Sequence, residues 1–307
     1  PGAGENCKYK FTGWKPELTA ATEDAEYTAQ FETIDKIRMT SGDTVDYFNT
    51  LQKAIDQSPE GATLTLQKTL DAASGTAAFT KTLTLDLNGQ TSSGNITVNS
   101  GVTLTIEGTG KISASGTAVL NKGTLILPTG ITVEATGNNS IALDNSGTID
   151  SITGGTFTGH VAVQIESGGK IGSITGGTFS ADARSTVINN LSANAVKLSG
   201  DPKFGGVTYD TQVLNGVTDT SKFTFEPNMT ISTSKSNGYF TIVPNTFTLV
   251  FNVDGKLTTK TGVSRSGDVD LRSLYGGTDP TKEEGYQFNG WTYKGTNIGK
   301  ETVAQNK

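Results

Sequence analysis

At 307 residues the chain is long enough for two or three domains, yet only 34% of it is hydrophobic and 38 residues are glycine, which argues against one thick globular core. Its net charge of −6 and the absence of any Lys/Arg block leave no electrostatic footprint for nucleic acid or an anionic membrane. No apolar run could span a bilayer, and the single Cys7 supports neither a disulfide framework nor a cysteine metal site.

No signal-peptide pattern opens the chain, which reads as a mature or partial sequence. Residues 1–33 hold two short β-type stretches, Tyr9-Lys-Phe-Thr-Gly-Trp14 and Ala25-Glu-Tyr-Thr-Ala-Gln-Phe31. Residues 34–43 read as a linker. From Asp43 as N-cap, Val45, Phe48, Leu51 or Gln52, and Ile55 fall on one helical stripe, which Ser58-Pro59 stops.

From there to residue 206 the chain repeats. Gly147-Thr-Ile-Asp-Ser-Ile-Thr-Gly-Gly-Thr-Phe157 is nearly copied at Gly169-Lys-Ile-Gly-Ser-Ile-Thr-Gly-Gly-Thr-Phe179, 22 residues later. Apolar residues align at Leu66, Leu87, Ile106, Leu127, Ile149 and Ile171, with period-2 stretches such as Leu83-Thr-Leu-Asp-Leu87 around them. Short strands at this spacing with Gly-rich turns define an all-β solenoid, and a right-handed parallel β-helix of the pectate-lyase type is expected over 44–206. The triplets Asn99-Ser-Gly101, Asn121-Lys-Gly123 and Asn145-Ser-Gly147 are read as turns whose Asn amides stack from rung to rung, with a polar binding column as the alternative. A looser last rung ends at Phe204. The helix at 43–58 is expected to cap the open N-terminal end. Residues 207–245, which contain Ser236-Asn-Gly238, are expected to form hairpins closing the other.

Residues 246–307 open with an alternating strand, Phe247-Thr-Leu-Val-Phe-Asn-Val-Asp-Gly255. They continue to Asp279-Pro-Thr-Lys-Glu-Glu-Gly-Tyr-Gln-Phe-Asn-Gly-Trp291. Together with the Tyr-x-Phe-x-Gly-Trp and Tyr-Thr-Ala-x-Phe stretches of residues 8–32, this segment resembles the Listeria–Bacteroides repeat, the internalin B-repeat type of β-grasp-like surface module. The resemblance covers residues 8–32 and 246–293, with the first half missing at the N-terminus and the closing stretch missing at the C-terminus. It implies further repeats beyond this sequence, or two half-modules that complement each other. The middle is similar, more loosely, to β-helix segments of bacterial surface proteins. Both resemblances imply an extracellular protein, at the bacterial cell surface or secreted.

β-Helices also carry lyases and glycoside hydrolases, whose chemistry needs acids on neighbouring rungs. On the ladder above, no two carboxylates fall on adjacent rungs. Glu107 and Asp150 lie two rungs apart in one column, about 9.6 Å, near the upper limit for an inverting pair. They are weak candidates, as are Trp14 and Trp291, which either stack on sugars or pack in a core. His160, the only histidine, reads as a surface-turn residue, and Arg184 as a partner of Asp182. Neither metal-ligand spacing nor a phosphate loop is present, so no metal or cofactor is expected.

These readings lead to a non-catalytic adhesin or spacer segment with environmental or host glycans or surface proteins as partners. Nucleic acid and membrane insertion are not expected. A polysaccharide-active enzyme and a self-association module are the alternatives.

Overall fold

The computed structural model of the chain describes residues 9–17, 26–33, 36–215, 221–264, 269–281, 288–293, 296–299 and 302–303. The chain divides into two units, one of Pro1–Thr224 with Ser234–Thr241, the other of Phe225–Thr233 with Ile242–Lys307.

The first unit is built around a β-solenoid. Its first face stacks Thr63–Leu66, Leu83–Asp86, Thr103–Glu107, Thr124–Ile126, Thr148–Ile152, Lys170–Ile174 and Val196–Leu198, so about six turns separate the first strand from the last. The second face carries Thr91–Ser93, then the start of Gly110–Asn121 and of Ile131–Asn145, then Thr156–Thr158, Thr178–Ser180 and Lys203–Gly205. The third carries Ala77–Phe79, Ile96–Val98, the ends of the same two long strands, Val161–Ile165 and Ile188–Asn190. The two long strands change face where Gly116 (φ 87°) and Gly137 (φ 98°) hold the left-handed backbone that L side chains avoid. Past residue 206 the coil continues: Leu214 bridges to Ile188, and Phe223–Phe225 lies beside Val196–Leu198.

Each turn is too short to bury its own apolar residues, so the core forms only by stacking. Phe157, Phe179 and Phe204 are fully buried and stack ring on ring at 5.2 and 5.8 Å. The near-copied segments sit in register, Ile149 on Ile171 and Phe157 on Phe179.

The apolar ladder of the first face differs from the expected one. Leu85, not Leu87, pairs with Ile106, and Leu125, not Leu127, stands level with Ile149 because Thr124 lies opposite Thr148; Leu104 opposite Leu125 keeps the expected Ile106–Leu127 step. Leu125 is therefore buried and Leu127 only half-buried. The Asn column is also partly corrected. Asn121 and Asn145 are buried in register, and Asn121 Nδ2 donates to Asn145 Oδ1 at 2.7 Å. Opposite Asn121 on the preceding turn stands Val98, so Asn99 lies one position out of the column. The following glycines are required by packing: a Cβ on Gly123, Gly147 or Gly169 would collide with the carbonyl oxygens of Val102, Gly123 or Asn145.

The N-terminal end is closed differently from the sequence expectation. Val45 and Phe48 belong to a strand, Thr44–Phe48, which pairs with Ile37–Ser41; that strand, inside the expected linker, lies antiparallel on Thr63–Leu66. The helix is shorter, Leu51–Gln57, with Thr50 rather than Asp43 as its N-cap. It turns Leu51, Ala54 and Ile55 into the core. Gln52 reaches the exposed strand edge, where its Oε1 accepts from Ala78 N at 2.8 Å and its Nε2 donates to Ala78 O at 3.5 Å. At the other end Phe240 and Thr241 pair antiparallel with Phe204 and Lys203. The reversal before them is the expected tight turn, with Asn237 at φ 51° and Gly238 at φ 86°. At the N-terminus Tyr9–Lys15 and Thr28–Thr33 pair antiparallel.

In the second unit the hairpin Thr246–Val253/Lys256–Ser264 and the helix Leu271–Tyr275 enclose a small core of Phe251, Val263 and Leu271. Trp291–Tyr293 pairs with Thr296–Gly299.

Candidate functional site

The corrected register rearranges the first-face carboxylates. Asp86 and Glu107 are direct partners on adjacent turns, the adjacency the expected ladder had denied. Asp86 Oδ1 accepts from Asn88 N at 2.9 Å, and Glu107 is exposed at its strand's end. Glu107 and Asp150, by contrast, are not brought together. Asp150, also exposed, follows the Thr148 column, so its outward neighbours are Ile126 and Thr105. Two turns and two strand positions separate the pair, about 12 Å between backbones.

The tryptophans have different surroundings. Trp291 is half-buried and packs against Phe251 at 4.8 Å, Tyr275 at 5.2 Å and Phe288 at 5.2 Å. Trp14 is 41% exposed and meets Phe11 edge-on at 5.5 Å.

On the third face lies a polar column that the sequence reading did not single out. Asp144, Gln164 and Asn189 stand in register on successive turns. Asn189 Nδ2 donates to Gln164 Oε1 at 3.3 Å, and Gln164 Nε2 donates to Glu166 Oε1 at 2.5 Å. Asp144 Oδ1 is shut from solvent with no hydrogen-bond partner among the described residues, although the residue as a whole is half-buried. Burial, and secondarily the Glu166 carboxylate, push the Asp144 carboxyl up to about 6. The Asn121/Asn145 pair was the signal available for this column, because it fixes the register one residue away.

His160 sits in the turn between Thr156–Thr158 and Val161–Ile165, and its backbone N–H donates to Ser140 Oγ at 3.0 Å. Its Nδ1 lies 2.9 Å from Asp182 Oδ2, so Asp182 meets His160 rather than the expected Arg184. Ser185 Oγ is 3.0 Å from Nε2 and 3.2 Å from Nδ1. The three residue types of a hydrolytic triad are thus gathered, but their arrangement is not that of one. An oxygen on the in-plane Nε2 lone pair would lie about 5 Å from Nδ1. One nearly equidistant from both nitrogens lies over the ring, where no lone pair can take its proton. Ser185 is also only 8% exposed. The cluster ties the 181–187 loop to the turn beneath it.

Among the described residues, no group of three or more His, Cys, Asp and Glu side chains is placed to hold a metal ion. None of their helices is long and apolar enough to cross a membrane. No protein-family model matches this chain, and neither a curated protein nor a solved structure matches it significantly. What the fold defines is the class: a β-solenoid of about six turns with small flanking sheets.

Proposed function

We propose that this chain is a non-catalytic segment of a bacterial surface or secreted protein. Its solenoid would act as a stiff rod about 30 Å long, from six rises of one strand spacing each, that offers a polar face to glycans or surface proteins. The observation that carries this reading is the outward side of the first face. Thr103, Thr124 and Thr148 stack in register in one column, and Thr40, Thr63, Thr84 and Thr105 in the next. The two ladders meet on the strand Thr103–Glu107 and step about 4.8 Å from turn to turn, suited to several weak hydrogen bonds at once. The coil is right-handed in this reading, as crossovers between parallel strands of one sheet nearly always are. The strand pair Tyr9–Lys15/Thr28–Thr33 and the Phe251/Trp291 unit are B-repeat-like modules in this reading, supported by the Gly-Trp motifs that both carry.

The test is binding of the labelled chain to an array of host glycans, mucins and matrix proteins at moderate salt. Saturable binding that is lost in Thr103→Lys/Thr124→Lys supports the adhesin. A blank array supports a spacer that serves binding elements elsewhere. Depolymerisation of a polysaccharide by the purified chain overturns both.

One observation favours a carbohydrate-active enzyme as a second reading, namely the Asp144 carboxyl held near 6 beside Glu166. Loss of such a depolymerising activity in Asp144→Asn would establish it.

A further inference from the structure

The sequence contains four Asn-Gly pairs, at Asn88, Asn215, Asn237 and Asn289. An Asn side chain followed by glycine can be attacked by the glycine's own backbone nitrogen, because no Cβ shields that nitrogen. The reaction needs a free Gly N–H, a free Asn amide and a chain able to leave its turn geometry. Asn88 offers none of these: its Nδ2 donates to Leu66 O at 3.0 Å, and Gly89 N donates to Thr109 O at 2.6 Å on the next turn. Asn215 is held through both side-chain atoms, with Oδ1 accepting from Asn190 N at 2.7 Å and Nδ2 donating to Asn190 O at 3.1 Å. Asn237 is different. It and Gly238 are exposed, neither its amide nor the Gly238 N–H has a hydrogen-bond partner among the described residues, and nothing lies within 4 Å of a Cβ built on Gly238. Only the Ser236–Tyr239 pair, at 2.8 and 3.0 Å, closes the turn.

We propose that Asn237–Gly238 is a site of spontaneous deamidation, and that its isoaspartate product loosens the strand closing the solenoid. Gly238 N, losing its proton to solvent base, bonds to Asn237 Cγ while the Cγ–Nδ2 bond breaks and ammonia leaves. Water then opens the cyclic imide to aspartate or isoaspartate. Isoaspartate inserts a methylene into a two-residue turn whose register depends on its length. The next residues are the ones that cover the end of the core: the Tyr239 ring lies over Gly205, and Phe240 pairs with Phe204 below the phenylalanine stack.

The whole chain is incubated at mildly alkaline pH and 37 °C, then digested with trypsin, which cuts after Lys235. Amide-to-acid mass gain is followed in the peptides holding Asn237 and Asn88. With both reacting groups free, Asn237 should convert at least about tenfold faster than Asn88, each retained hydrogen bond costing up to about that factor. In urea the two should converge. The aged chain should melt at lower temperature than fresh protein, and Asn237→Gln should abolish that loss. Equal rates in the folded chain, or an unchanged Asn237 peptide, would overturn the assignment. An aged chain that melts like fresh protein despite full conversion would overturn the structural consequence.

Discussion

Replacing Asp144 with asparagine should stabilise the solenoid at neutral pH and do nothing at acid pH. The substitution is isosteric and leaves one buried oxygen-sized polar atom in place, so it removes charge and little else. The wild-type carboxyl moves from 3.8 in the unfolded chain to about 6 in the folded one. The folded state therefore binds the proton more tightly, and the stability this contributes is complete below pH 3.8 and lost as pH rises through about 6. Two pKa units would be worth about 3 kcal/mol for a fully buried group. Asp144 is only half-buried, and solvent screening reduces that to about 1 kcal/mol.

The assay is urea unfolding followed by circular dichroism at pH 4 and pH 7.5, comparing midpoints where the slope is unchanged, since repeat arrays can unfold in parts. Asp144→Asn should be more stable by about 1 kcal/mol at the higher pH and indistinguishable at the lower. Glu166→Gln should give a smaller gain of the same sign, because burial is the larger cause of the shift. A variant gain that is the same at both pH values, or a loss at pH 7.5, would refute the electrostatic account.

Three further substitutions test the packing. Phe179→Ala removes the middle ring of a fully buried stack and should cost about 3–5 kcal/mol by urea unfolding; a cost below about 1 kcal/mol would mean that the stack is not the core. Gln52→Ala strips both partners from Ala78 at the strand edge and should cost about 1–3 kcal/mol, with faster amide exchange in Ala77–Phe79 as the local readout. Ser92→Ala deletes a buried hydroxyl that has no partner; its thermal midpoint should stay the same or rise, since no hydrogen bond is lost.

The solenoid was legible in the sequence because a repeat with period-2 strands leaves few other ways to bury its apolar residues. The helix start was not, since Val45 and Phe48 fit a helical stripe as well as they fit a strand. Tertiary pairing with Ile37–Ser41 decided between them. The same logic explains the misplaced Asn99. Its Asn-Ser-Gly triplet copies the later ones, but the strand Ile96–Val98 enters its turn one residue earlier than Asn121 and Asn145 do.

The carboxylates show why sites are harder to read than coils. A slip of one residue turns every side chain to the opposite face and is forbidden by the apolar pattern, whereas a slip of two leaves inside and outside unchanged. Leu83, Leu85 and Leu87 can therefore exchange positions on the ladder with no signal in hydrophobicity, and turn lengths alone choose among them. That silent shift of two is what placed Asp86 beside Glu107 and moved Asp150 out of their column. On the third face the buried Asn121–Asn145 hydrogen bond removes the ambiguity, because a polar pair in an apolar core tolerates only one register. The outward residues beside it, Leu120 and Asp144, inherit that register. In a solenoid of this kind, polar residues inside the core give the firmest guide to which polar residues outside it are neighbours.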